Sequence, residues 1–498
     1  MFLASKIKHV TSTHTNEGKE DLRAKILHHG EKLGGIWSAI NKEKKPRDLI
    51  RRLKIPGQNP PQYERSTVRM AEIGRTYHQE LQDDYGPQPT HEEREEQIKR
   101  PLEAIPATQT LEDPERTEMN NLLNEASVER ALALARNGTA TGMDGCPYEL
   151  WKALKKRHDD DVKNGKQGFD IIRMLTIVYQ DIQINGLNVK SKFALGWMCP
   201  IYKKKDPTEI SNYRPITLLN TDYKILTKAL AVQLMDEISN LVHPDQAGFI
   251  KKCAIQNQIR LAKAIINYAE ATQENGAIVA LDQEKAYNKI KHDYLWITMD
   301  KFGIPHTFTN TVKSLYTNAD TMVAINGVFS SPFKVTRGVR QGDPLSCALF
   351  DLAIEPLACR LRSDPRLHGF EIPGSEEKLI ASLFADDTNL YLHHTDRMDD
   401  VQDILTEWCQ ASGAKFNIGK TEIICHRHLG RLRAVDRNKL GNRAFLLYSL
   451  CSQRGTGHEA LRCTLIACLF CWIVLFSRVI VLVACTPELY PDSALGSL

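Results

Sequence analysis

Polar, charged stretches with helical spacing fill the first quarter of the chain, and apolar runs alternating with helical patterns follow from about residue 131. Residues 1 to about 57 read as basic and helical, ending at IPGQNPPQ, where Pro, Gly and Asn break any helix. Residues 63 to 130 read as charged helices, with an acidic patch at HEEREEQ and a second break around PLEAIPATQTLEDPE. Residues 277–281, AIVAL, form the kind of continuous apolar run that makes a buried strand, and they lead into Asp282. Beyond it, Ala286, Tyr287 and Ile290 fall at helical spacing. LFADDTNLYL, residues 383–392, sets Asp386 and Asp387 inside a strand-forming run. The flanking Leu383, Phe384, Leu390, Tyr391 and Leu392 favour a pleated strand, and Asp-Asp-Thr-Asn favours a turn. The predicted element is a β-hairpin with both carboxylates at its tip. In TRGVRQGDPLSCALFDLAIEPL, residues 336–357, Gly338, Gly342 and Pro344 predict a tight loop, with a helix starting near Pro344 or Leu345. CPIYKKKDPTEISNYRPITLLN, from residue 199, predicts short strands around 200–202 and 215–219 on either side of a basic loop.

Composition changes this picture little. With 498 residues, 42% hydrophobic and 25% charged, the chain is of ordinary globular make-up, with room for about two to four domains. A net charge of +4 does not by itself mark a nucleic-acid binder. Its distribution says more, because residues 1–56 hold 13 Lys and Arg against 6 Asp and Glu. Most of that excess lies in NKEKKPRDLIRRLK, residues 41–54, which reads either as a solvated helix face or as a phosphate contact. The twelve cysteines suggest no disulfide or zinc framework, and five of them fall in the last 48 residues as a compositional break. MFLASKIKHVTSTHT has no apolar run long enough for a signal peptide, so a reducing, intracellular setting is expected. From residue 426 the chain turns basic, then nearly all apolar over 463–486. About 20 apolar residues suffice to cross a bilayer. Arg478 interrupts the run, however, and a charge there costs roughly 2.5–3.5 kcal/mol on insertion scales, so a membrane anchor is disfavoured.

The charges in the middle section suggest a reaction. Two adjacent carboxylates raise each other's pKa unless a cation lies between them, and hard oxygen ligands suit a divalent ion. A plain surface turn would also accommodate Asp386 and Asp387, and Asp282 alone would serve as a helix N-cap. Taken together, a strand-exit Asp282 aimed at the hairpin makes a three-aspartate cluster able to hold two divalent ions for in-line phosphoryl transfer. Lys203, Lys204, Lys205 and Arg214 form either an exposed basic turn or a triphosphate clamp facing those carboxylates. Between the aspartate motifs, the glycine-lined loop lets backbone and the Gln341 amide approach a ligand closely. Strand-Asp, Gly-rich loop with helix, then Asp-Asp hairpin is the order of a polymerase palm.

These motifs resemble the reverse transcriptase domain of non-LTR (LINE-type) retrotransposons. The similar stretches are GTATGMDGCPYELW, CPIYKKKDPTEISNYRPITLLN, HPDQAGFI, LDQEKAYNKIKHDYLW, GVRQGDPLSCALFDLAIEPL, FADDTNLYL and GAKFNIGKTE, in family order over residues 138–422. The resemblance implies that Asp282, Asp386 and Asp387 bind the catalytic metals. It matches Lys204 and Arg214 to the triphosphate contacts, Tyr287 to an aromatic gate against a ribose 2′-OH, and Gln341 and Gly342 to the loop against nucleotide and template. Lys420 matches a lysine behind the palm. The implied architecture is α/β, with right-hand polymerase fingers and a palm of antiparallel sheet backed by helices. It divides into a helical, connector-like extension over 1–130, the fingers and palm over 131–425, and an atypical tail over 426–498 that is not a native thumb. The implied reaction is RNA-directed DNA synthesis with two Mg²⁺ ions, an RNA template, a DNA primer or target and dNTPs, in the nucleus or cytoplasm. Asn288 stands where the family pattern has Asp, and Cys253 where a basic residue is common. No endonuclease pattern precedes residue 131 and the similarity stops near 425, so a truncated element copy is expected. An inactive remnant that only binds nucleic acid is the alternative.

Overall fold

The computed structural model describes residues 49–83, 88–188, 190–251, 253–372 and 377–426. The apolar run 463–486, the basic tail and most of the basic run 41–54 lie outside the described residues.

The charged N-terminal pattern forms helices Thr67–Glu80, His91–Leu102, Asp113–Asn120 and Glu125–Ala133. His91–Leu102 starts in a capping box: Thr90 Oγ1 accepts the Glu93 N–H at 3.2 Å, and the Glu93 carboxylate accepts the Thr90 N–H at 2.8 Å. Acidic residues fill its first turn and Lys99 and Arg100 its last, which suits the helix dipole. It buries Ile98, Pro101 and Leu102. Arg94 fixes it in place by donating to both oxygens of Asp293 at 2.7 and 2.9 Å and to the carbonyls of Gln410 and Ala411.

AIVAL is a strand, Gly276–Leu281, at an inner position of a four-stranded antiparallel sheet. The order is Ala381–Phe384, Asp387–His393, Gly276–Leu281, Glu422–His426. Both faces are covered, which explains a continuous rather than alternating apolar run. Val279, Leu281, Leu390 and Leu392 enter the main core, whose centre is the buried helix Ser346–Ser363. Ile278 and Tyr391 face the opposite way, into a smaller cluster with Ile265 and Ala269 of helix Ile255–Thr272.

A second sheet begins with the hairpin Gly196–Tyr202 and Tyr213–Leu219 and adds Asp320–Ile325 parallel to the first strand. These hairpin strands are longer than the sequence pattern predicts, so Arg214 lies on a strand opposite Ile201 rather than in the loop. Pro215 fits because Tyr213–Leu219 is the edge strand. Its free side is closed where the Thr217 N–H donates to the Gln341 carbonyl at 2.7 Å. The helix after Asp282 is shorter than its apolar spacing suggests. It spans only Ala286–Lys289 before the chain restarts as His292–Lys301. The helix after the glycine loop starts at Ser346, with Leu345 as its N-cap. Among the described residues no helix is long and apolar enough to cross a membrane.

Candidate active site

Strand register brings the aspartates together. Leu281 pairs with Thr388, so the next rung of the same ladder sets Asp282 beside Asp387. The partner hairpin closes at Phe384 opposite Asp387, leaving residues 385 and 386 as a two-residue turn. Here the structure corrects the expected turn over Asp-Asp-Thr-Asn: Asp386 alone occupies the tip, and Asp387 already belongs to the outgoing strand. The physical reason is Ala385, whose φ of +55° supplies the left-handed first position that a tight hairpin requires. On the other side of the rung, the Asp282 carbonyl accepts the Asn417 N–H at 2.7 Å, and the Lys415 carbonyl accepts the Glu284 N–H at 2.7 Å. That segment carries Lys420, whose Nζ lies 3.0 Å from Asp282 Oδ2.

Three carboxylates on adjacent backbone positions supply the hard oxygen donors that a divalent cation takes. Their side chains do not close a ligand cage, for Asp282 is turned to Lys420. Among the described residues no group of three or more His, Cys, Asp or Glu is placed to hold a metal ion.

Positive charge faces the rung from the basic hairpin. Lys203 is exposed, yet desolvation and the neighbouring Arg214, Lys204 and Lys420 pull its pKa below the usual lysine value, while Asp282 opposes the shift. This crowding places Lys203, Lys204, Arg214 and Lys420 in one field with Asp282. Lys285 ties the two elements together by donating to the Ser211 carbonyl at 2.7 Å. Desolvation, then Lys203 and Lys420, pull its pKa down to about 8. Its backbone is left-handed at φ +49°, an uncommon conformation for a lysine. The sequence reading missed Lys285, although LDQEK contains it.

Tyr287 stacks on Phe350 of the core helix with ring centroids 4.9 Å apart, and its hydroxyl donates to Cys347 Sγ at 3.6 Å. It packs against a small cluster of Phe249, Cys347 and Ala385, which sets it beside the residue preceding Asp386. The glycine loop is wedged between this turn and the edge strand. A Cβ on Gly338, at φ +77°, would lie 2.4 Å from the Tyr287 carbonyl oxygen. A Cβ on Gly342, at φ +115°, would lie 2.3 Å from the Thr217 carbonyl oxygen. Between them Gln341 is half-buried, with its carbonyl given to Thr217. Asn288 closes the preceding turn through its backbone, donating to the Lys285 carbonyl at 2.8 Å.

A buried polar network that the sequence did not disclose braces the loop. Arg340 donates to the Ala194 carbonyl and to the Tyr223 hydroxyl, which in turn donates to Asp343. All three side chains are buried, and the hydrogen bonds that join them stiffen the loop. The signal available beforehand was a charge on each side of Gln341-Gly342 in an otherwise apolar stretch.

The reverse transcriptase (RNA-dependent DNA polymerase) family matches residues 202–448. The transposon TX1 uncharacterized 149 kDa protein of Xenopus laevis is 32% identical over 62% of this chain and 22% of its own length. The retrovirus-related Pol polyprotein from type-1 retrotransposable element R2 of Popillia japonica is 29% identical over 38% of this chain and 26% of its own. The RNA-directed DNA polymerase from mobile element jockey of Drosophila melanogaster is 23% identical over 54% and 30%. The chain thus spans less than a third of the length of each of these relatives. It carries a reverse transcriptase domain of the non-LTR, LINE-type retrotransposons.

Proposed function

We propose that the chain is an RNA-directed DNA polymerase that adds dNTPs to a primer 3′-OH, with its four-stranded sheet as the palm and the basic hairpin in the fingers. The observation that carries this reading is the rung joining Asp282 and Asp387 next to the Asp386 turn, faced by the basic hairpin. Asp282, Asp386 and Asp387 would hold two Mg²⁺ ions, which when bound lower the pKa of the primer hydroxyl and stabilise the leaving pyrophosphate. Lys204 and Arg214, with Lys203, neutralise triphosphate oxygens. Gln341 and Gly342 offer a surface against which base and template lie. Tyr287 fills the space beneath the sugar. No side chain acts as nucleophile, because the primer oxygen attacks the α-phosphorus and pyrophosphate departs in line. Primer extension on an RNA template with dNTPs and Mg²⁺ tests the reading, and absence of template-dependent product from folded protein overturns it. The Lys420–Asp282 ion pair favours one alternative, a remnant that binds primer–template without extending it.

Truncating Tyr287 tests the gate. Tyr287→Ala is expected to relax discrimination against ribonucleotides by roughly 10- to 100-fold, the worth of small steric differences in a binding pocket. Tyr287→Phe keeps the ring on Phe350 and is expected to discriminate as the native residue does. Equal discrimination by all three proteins removes Tyr287 from the role.

Lys420 occupies an oxygen that a cation would need. An exposed ion pair contributes about 0.2–1 kcal/mol, so Lys420→Met is expected to tighten Mn²⁺ binding without nucleotide by about 2- to 5-fold. Electron paramagnetic resonance of free Mn²⁺ measures it, and weaker binding in the variant would make Lys420 a supporter of the site instead.

A further inference from the structure

We propose that Gln246 is a positioning residue that clamps the Asp386 turn, an inference that rests on the polymerase reading above. The segment 245–248 lies along the hairpin like a fragment of parallel strand, with Gln246 bridged to Leu383. The Leu383 N–H donates to the Asp245 carbonyl, and the Ala247 N–H donates to the Leu383 carbonyl, each at 2.9 Å. Gln246 is fully buried. Its Oε1 accepts two backbone N–H groups, from Gly248 at 2.9 Å and from Ala385 at 3.0 Å. One side-chain oxygen therefore holds both strands of the contact at the residue immediately before Asp386.

Ala385 is the residue in need of support. Its φ of +55° is left-handed, a strained conformation for an L-residue with a Cβ. Such strain persists only where the surroundings over-determine it. Gly248 completes the clamp, because a Cβ there would lie 2.1 Å from the Ala385 nitrogen. The turn therefore depends on an amide oxygen and a missing side chain, both supplied about 140 positions earlier in the chain. The Gln246 oxygen is engaged by backbone N–H groups alone among the described residues. Its effect passes through the backbone, which fixes where the Asp386 carboxylate points. Tyr287 packs against the cluster that contains Ala385.

Gln246→Leu keeps the volume and removes the acceptor, leaving two buried N–H groups without it. The Ala385 amide is then expected to exchange with solvent about 10-fold faster, while Val279 and Leu390 in the same sheet keep their protection. Mn²⁺ affinity, read by electron paramagnetic resonance, is expected to fall about 5- to 10-fold, the worth of one such hydrogen bond. In an Ala385→Gly background, where a positive φ is nearly free, the same Leu substitution is expected to change Mn²⁺ affinity by less than about twofold. Unchanged Ala385 exchange, unchanged Mn²⁺ affinity, loss of protection across the whole sheet, or a full loss of affinity in the glycine background each overturns the clamp. Should Gln246→Leu alone not fold, the glycine-background pair still decides. Failure of wild-type primer extension would sink the polymerase reading, but exchange and Mn²⁺ binding would still answer for Gln246.

Discussion

Asp386→Asn is expected to remove nucleotide incorporation by at least about 10³-fold, since cation stabilisation of transition-state charge is worth several kcal/mol and each 1.36 kcal/mol is tenfold. The residue sits half-buried at the tip of a two-residue turn, and an amide of the same size keeps its shape there. Thermal unfolding should therefore match the native protein within about 0.5 kcal/mol, as for substitutions away from the core. The chemistry loses a full negative charge one rung from Asp282 and Asp387. Single-turnover extension with saturating dNTP measures it. Incorporation within tenfold of the native rate would detach the Asp386 turn from the reaction and return it to an ordinary hairpin.

Asp351→Asn is expected to act the other way, on stability. Asp351 and Glu355 lie one turn apart on the buried helix Ser346–Ser363, and neither is exposed to solvent. Both Asp351 side-chain oxygens lack a hydrogen-bond partner among the described residues. Burial, reinforced by Glu355, pushes its pKa well above the usual carboxylate range. The folded protein therefore keeps a proton that the unfolded chain releases. Stability from this group is complete below the unfolded pKa near 4 and is lost as pH rises toward the folded value. Asparagine is neutral at every pH and escapes that loss. The variant should gain at least about 1.4 kcal/mol at pH 8, the worth of one unit of pKa shift, and little near pH 4. Urea unfolding at both values checks the difference. Lower stability at both would mean that Asp351 is held as an anion by a cation.

The aspartate strands were legible because AIVAL and LFADDTNLYL each combine β-forming residues with a charge where the run ends or breaks. The turn within the second was not, because its position depends on Ala385 adopting a positive φ under Gln246 and Gly248, which no local pattern reveals. The same limit hid Lys285. Its value lies in reaching Ser211, in the turn between the two strands of the basic hairpin. Arg340 and Asp343 were written in a quoted motif and Tyr223 just after another, yet a buried network is recognised only when its members meet. Arg214 was found by type and misplaced by element, because basic residues argue for a loop unless the strand continues past them. Of the charged helices expected over 63–130, four are formed, whereas most of the basic helix expected over 1–57 lies outside the described residues and Leu53–Lys54 is a short strand.

The four hydrogen bonds of Arg94 bear on where this chain can be divided. The matched segment begins at residue 202 and contains every aspartate and lysine of the candidate site. A gene fragment cut there would lose Ile98, Leu102, Val128 and Leu132, which belong to the same continuous core as Leu349 and Trp408. Helix Thr221–Leu241, against which Glu125–Ala133 packs, would meet water along that face, and Asp293 would lose its guanidinium partner. At about 25 cal/mol per Å² of apolar surface, such a loss is large against the few kcal/mol that separate folded from unfolded chains. The chemistry occupies one stretch of sequence, but autonomy as a folding unit requires upstream residues that carry no chemistry at all.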